Sequence, residues 1–268
     1  MAVRLEKSRV LLTGATGGIG EAIARTLHAR GAHVVLSGRK ADVLERLRRE
    51  LGERADVVEA DLGRSDEVMR LASESQPVDV LVANAGLAGS GRLDSFNHEE
   101  IDRVLDVNLR SAIQLTRALV PSMLERGAGH VVLISSIAGK MPAPESSVYC
   151  ATKFGLRGFG YSLNVELRGT GVGVTTVFPG FVRDAGLFAD SGVKLPPGVG
   201  TSSLQDVADA VLSGIEKDRA EIDVAPIAVR SSAKLFGAAP SLVVAVGRRL
   251  GGDRLATAVA EGQRYKRS

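Results

Sequence analysis

Short apolar runs recur along the chain, and the segments between them carry apolar residues three or four apart. Val10-Leu11-Leu12 leads into a glycine-rich turn, then into a stretch with Ile19, Ile23 and Leu27 at helical spacing. His33–Ser37 reads as a second strand, followed by the charged, leucine-spaced helix Ala41–Leu51. Val57-Val58-Glu59 and Val80-Leu81-Val82 read as the third and fourth strands. A long helical pattern runs from about Asn97 to Arg126, with Ile101, Leu105, Leu109, Ala112, Leu119 and Met123 as its inward stripe. His130–Ile134 is the fifth strand, a helix covers roughly Ser147 to Arg168, and Val174–Phe178 is the sixth strand, ended by Pro179-Gly180. Ile222–Val224 completes the series. Strand alternating with helix predicts right-handed crossovers and an α/β fold, a doubly wound parallel sheet of about seven strands with helices on both faces.

Residues 1–225 read as one domain, with an apolar segment at about 184–200 placed to cover a ligand. Beyond it, Pro240–Leu250 and Arg254–Ala260 predict short amphipathic helices, so 226–268 reads as a helical extension of the same domain. Composition agrees: among 268 residues there is no Trp, so the core draws on Val, Leu, Ile and Ala, as buried parallel strands do. The net charge of +3 is unevenly placed, because the extension holds eight Lys/Arg against Asp253 and Glu261. A solvated helix surface accounts for that more simply than phosphate, a membrane or an acidic protein, and neither nucleic acid nor membrane contact is expected. Cys150 is the single cysteine, which excludes an internal disulfide, and the four scattered histidines show no metal-ligand spacing, so no metal is expected. No run approaches the roughly 20 apolar residues of a membrane span, and the first strand is too short for a signal segment; a cytoplasmic location is expected.

In open α/β sheets ligands lie beyond the carboxyl ends of the strands, and the informative residues fall there. The turn Thr13–Gly20 follows the first strand and opens the first helix, where glycines let backbone approach a pyrophosphate and free N–H groups attract it. Tyr149 and Lys153 are four apart in a helical segment and share one face. An ammonium beside the phenol favours its ionised form, so the pair predicts a tyrosine acid/base with a lowered pKa. Ser136 ends the fifth strand, where its hydroxyl can hold an oxygen on which charge develops; Ser135 competes for that role.

Thr13-Gly-Ala-Thr-Gly-Gly-Ile-Gly20, Asn84-Ala-Gly86, Asn108, Ser136, Tyr149-x-x-x-Lys153 and Pro179-Gly180 together resemble the shorter, single-domain branch of the short-chain dehydrogenase/reductase family, over about residues 8 to 225. The resemblance implies a Rossmann-like sheet, a homo-oligomer, and hydride exchange between a nicotinamide and a small-molecule carbonyl or secondary alcohol. It implies Asn108, Ser136, Tyr149 and Lys153 as catalytic residues, with Asn108 holding a water against the lysine. The implied cofactor residues are Gly14, Thr16, Gly17, Gly18, Ile19, Gly20, Asp61, Leu62, Asn84, Ala85, Gly86, Tyr149, Lys153, Pro179, Gly180 and Val182. At the end of the second strand, Ser37-Gly38-Arg39 has no acid for a ribose 2′-hydroxyl, whereas Arg39 can pair with a 2′-phosphate; Ser37 and Arg39 therefore predict NADP(H).

The family's Pro-Gly-x-x-x-Thr is departed from, since Asp184 stands at the threonine position. Either Asp184 takes over the carboxamide contact or it starts a differently shaped lid. Leu187 and Phe188, with Met141 and Phe181, suggest a hydrophobic substrate. Two rivals remain at this stage: a nucleotide-sugar epimerase or dehydratase, whose glycine pattern Gly14, Gly17 and Gly20 also satisfies, and a nucleotide-sensing scaffold without catalysis.

Overall fold

The computed structural model describes residues 3–186, 188–193, 195, 200–249 and 252–263. Seven strands, β1 (Arg9–Thr13), β2 (His33–Gly38), β3 (Ala55–Glu59), β4 (Val80–Ala83), β5 (Gly129–Ile134), β6 (Val172–Pro179) and β7 (Glu221–Val224), form one sheet in the order β3-β2-β1-β4-β5-β6-β7. Every pairing is parallel. Strand order reverses between β1 and β4, and a crevice opens there at the carboxyl edge.

The strands read as continuous apolar runs because both faces are covered, yet the period of two persists inside them. Val10, Leu12, Val34, Leu36, Val80 and Val82 point into one core, under α1 (Gly18–Ala29), α2 (Ala41–Leu51) and α7 (Leu204–Lys217). Leu11, Val35, Leu81, Val131 and Leu133 point into the other, under α3 (Ser65–Glu74), α5 (Ser111–Arg126) and α6 (Ser147–Glu166).

The helical pattern expected from Asn97 to Arg126 is three pieces on one path. Asn97 caps α4 (His98–Leu105) through a reciprocal box with Glu100, a π-helical turn spans Asp106–Arg110, and α5 follows. Beyond β7 come α8 (Ile227–Ala238), α9 (Pro240–Arg249) and α10 (Gly252–Gln263). The apolar spacing predicts the last two, while α8, α3 and α7 are not among the predicted helices. No described helix is long and apolar enough to cross a membrane.

Candidate active site

The glycine-rich turn is held open by its neighbours. Gly14 takes φ +66°, and a Cβ there would stand 2.8 Å from the Ala85 Cα. A Cβ on Gly20 would overlap the Gly14 carbonyl oxygen, so only glycine lets α1 start this close to β1. Gly17 precedes α1 and supplies no side-chain cap, which leaves first-turn amides for a ligand at the positive end of the helix. The Thr13 hydroxyl accepts from the Asn84 and Ala85 amides at 3.1 Å each, and Asn84 Nδ2 donates to the Thr13 and Gly14 carbonyls at 3.0 and 3.1 Å. The Asn84 amide thus braces the turn as well as lining the crevice.

At the end of β2, beside Thr16, the Ser37 Oγ is buried with no hydrogen-bond partner among the described residues, and Arg39 is exposed. An orphaned buried hydroxyl two residues before an exposed guanidinium fits a polar ligand group. Asp61 follows β3, accepts from the Gly63 amide at 3.0 Å and pairs with Arg103 at 2.7 Å; Leu62 beside it is buried. Burial opposes the Asp61 charge, but Arg103 and the Gly63 N–H outweigh it and hold the carboxyl below its ordinary range.

The four residues expected to do chemistry converge beyond β4 and β5. The Tyr149 amide donates to the Gly89 carbonyl at 3.3 Å, which seats the first turn of α6 on the loop after β4. Lys153, 4% exposed, places its Nζ 5.5 Å from the Tyr149 ring centroid and donates to the Ile134 carbonyl at 3.0 Å. Asn108 lies buried in the π turn, where its Oδ1 accepts from the Leu87 amide at 2.6 Å and its Nδ2 donates to the Leu87 carbonyl at 3.0 Å. A Cβ on Gly86 would sit 3.7 Å from both Asn108 Oδ1 and Lys153 Nζ, so the small residue opens the space these two groups face. π turns insert one residue into a helix and commonly mark working sites.

The two serines separate cleanly. Ser135 is buried and donates to the Lys153 carbonyl at 2.9 Å, a packing role. Ser136 faces the crevice, accepts from the Ala138 amide at 3.2 Å, and hydrogen-bonds the Tyr149 phenol.

Burial opposes the lowered tyrosine pKa that an adjacent ammonium favours. Burial pushes Tyr149 up to about 12, with Ser136 opposing, and burial pushes Lys153 down to about 8. Removing both groups from water disfavours each charged form. Tyr149 keeps part of its surface on the crevice, so water offsets some of this effect.

After Pro179-Gly180, the Val182 bridge to Ser202 uses the Phe181 carbonyl and the Arg183 amide, so Val182's own amide points away from Ser202. Asp184 accepts from the Leu204 amide at 3.3 Å and meets Arg183 at 3.5 Å. It thereby ties this segment to the start of α7. Ala185 comes down on Gly18, and Phe181 packs on Phe188 with centroids 4.7 Å apart. Leu187 lies outside the described residues, and Met141 is half-buried at the loop after β5.

A cavity of about 690 Å³ opens between the Gly91–Asp94 turn, the loop at 142–145 and the first turn of α6, with Pro142, Ala143 and Cys150 on its wall. None of Met141, Phe181 or Phe188 lines it; its residues carried no signal in the sequence apart from Cys150 adjoining Tyr149. Burial raises the Cys150 thiol, which keeps it protonated at neutral pH. Among the described residues no cluster could hold a metal ion.

A parallel sheet wound both ways from a glycine turn, with a half-buried tyrosine beside a buried lysine at its carboxyl edge, defines a Rossmann-type oxidoreductase fold. The family model described as short chain dehydrogenase matches residues 8–192, and the chain belongs to that family. It is 37% identical over 222 residues to the ketoacyl reductase HetN of Nostoc sp., covering 80% of this chain and 77% of that protein. Actinorhodin polyketide ketoreductase, solved with NADPH, superposes with a TM-score of 0.74 at 31% identity, covering 84% of this chain and 98% of the other. The 3-ketoacyl-(acyl-carrier-protein) reductase of Brucella melitensis, solved with NADH, gives 0.73 at 26% identity, covering 82% and 97%.

Proposed function

We propose that the protein is an NADP(H)-dependent reductase of carbonyl groups attached to apolar chains, with Tyr149 as the proton donor. The observation that carries this reading is the convergence of Tyr149, Ser136, Lys153 and Asn108 on one crevice beside the glycine turn. NADP(H) fits the residues present: uncapped amides of α1 for the pyrophosphate, the orphaned Ser37 hydroxyl and exposed Arg39 for the 2′-phosphate, and the Val182 amide for the carboxamide. Bound there, the cofactor supplies the hydride that reaches the carbonyl carbon.

The chain's own residues then handle the oxygen. Ser136 and Tyr149 hold it by hydrogen bonds, and the Tyr149 phenol gives up its proton as the alkoxide forms. A phenol kept neutral by burial is already in the protonation state that reduction requires. The Lys153 amine, at about 8, gains and loses a proton near neutral pH, which suits it to resupply the phenol. Asn108, clamped to Leu87, fixes the entrance by which that proton arrives. The cavity beside Cys150 and the Phe181–Phe188 pair supply apolar walls, and the reductase names of the relatives point to 3-oxoacyl compounds as the first substrates to try.

The test is a panel of 3-oxoacyl thioesters, ketones and aldehydes with NADPH, followed by loss of nicotinamide absorbance. Oxidation of at least one apolar ketone is expected. Tight NADPH binding with no turnover of any member would leave a nucleotide-sensing scaffold, and a nucleotide that co-purifies and does not exchange would favour an epimerase or dehydratase.

A further inference from the structure

The described part of the C-terminal extension turns apolar side chains outward. In α8, Ile227 is 79% exposed and Leu235 48%; in α9, Leu242, Val244 and Val246 are 55%, 43% and 46% exposed. A helix that merely finishes a core buries such residues, yet α8 buries only Ala233. Cations are interleaved with them. Ile227, Arg230, Ser231 and Lys234 share one face of α8 by helical spacing, and Leu242, Val246 and Arg249 share one face of α9; all are exposed. Apolar residues standing singly on a surface need no explanation, but a run of them across two successive helices marks a contact.

Charge selects the occupant. The extension carries eight Lys/Arg against two acids, while the rest of the chain is slightly acidic. A second copy of the same face would bring like charges together, and a nucleic acid would leave Ile227, Leu242 and Val246 in water. Helices too short to cross a bilayer, with apolar residues beside Arg and Lys, suit the boundary between acyl chains and anionic headgroups.

We propose that α8 and α9 dock this protein on an anionic membrane surface. Their apolar side chains enter the headgroup boundary, and Arg230, Lys234 and Arg249 meet lipid phosphates. The contact is joined to the crevice: α10 follows α9 and packs on the turn Ala189–Ser191 of the covering segment, and Thr257 donates to Glu145 at 2.7 Å, on the loop that leads to Tyr149. Docking thus sets the site's covering segment near the bilayer, where apolar substrates dissolve. The proposal does not depend on the reaction given above.

The test is co-sedimentation of the full-length protein with vesicles of phosphatidylcholine alone, or of phosphatidylcholine mixed with phosphatidylglycerol. Binding to the mixed vesicles only is expected, and it should vanish at about 0.5 M salt. Arg230→Gln with Lys234→Gln should weaken it on the order of 10- to 30-fold, at about one kcal/mol per cation. Leu242→Ser with Val246→Ser should weaken it comparably, and both pairs should keep the wild-type melting temperature because the positions are exposed. Three results would overturn the proposal: no binding to anionic vesicles at low salt, binding untouched by either pair, or a concentration-dependent dimer abolished by the serine pair, which would assign the face to a second copy.

Discussion

Replacing Lys153 with methionine should stabilise the cofactor-free protein while removing its activity. Burial brings the amine from an ordinary 10.5 to about 8, which corresponds to about 3 kcal/mol against the charged form. Methionine has similar volume and no charge, so it escapes that loss. It also forfeits the bond from Nζ to the Ile134 carbonyl, worth about 1 kcal/mol net. The expected gain at pH 6.5 is therefore about 2 kcal/mol. The pH dependence gives the sharper signature. Below pH 8 lysine is protonated in both the folded and unfolded chains, and the difference between variant and wild type is constant. From about pH 8 to 10.5 the folded protein has released a proton that the unfolded chain retains, so wild-type stability rises with pH and the variant's advantage shrinks. Tyr149, raised to about 12, enters only above pH 10 and acts on both proteins alike. Urea unfolding followed by circular dichroism at pH 6.5, 8 and 9.5 measures this. A variant less stable than wild type at pH 6.5, by a margin that does not change with pH, would refute the argument that the lysine is held in its site at the expense of stability.

Further outcomes follow from other parts of the fold. Arg39→Asp should weaken NADPH binding about 10- to 100-fold more than NADH binding, from loss of a charge-assisted contact; equal losses in fluorescence titrations would show that the arginine does not read the phosphate. Gly20→Ala forces a methyl into the Gly14 carbonyl and should cost about 1–3 kcal/mol together with cofactor binding, and a variant that melts and binds like wild type would contradict the tight turn. Burial holds His130, bonded to Thr175 at 2.8 Å, at about 4. As pH falls from 6.5 to 4 the unfolded chain binds a proton that the folded one refuses, so wild type should lose up to about 3 kcal/mol in that window; His130→Asn should flatten the acid limb, and an unchanged limb would rule the histidine out.

Much of this was legible because parallel strands and crevice residues leave local signatures. The apolar runs from Val10 to Phe178 located six of the strands closely, since burial on both faces requires continuous Val, Leu and Ile. The glycine turn and the Tyr149–Lys153 spacing are likewise short-range, and the structure brings them to one crevice. What stayed hidden depends on tertiary contact. The π turn at Asp106–Arg110 extends an otherwise ordinary helical pattern, with only a misplaced Asn108 as a hint, and the clamp onto Leu87 that accompanies it is a tertiary contact. Helices α3 and α8 are short and charge-rich or outward-facing, so their stripes are faint. The wall formed by Gly91–Asp94 comes from a loop folded against another loop, which no periodicity records. The burial of Tyr149 is hidden for the same reason: spacing along a helix says that two groups are near, whereas tertiary packing sets how much of each reaches water.

The central claim is that the Tyr149 phenol delivers the proton during reduction. Tyr149→Phe tests it most directly, measured with NADPH and a 3-oxoacyl thioester alongside cofactor affinity. Turnover should fall at least 1,000-fold, about 4 kcal/mol, with NADPH binding retained. Comparable turnover in the two proteins would contradict it.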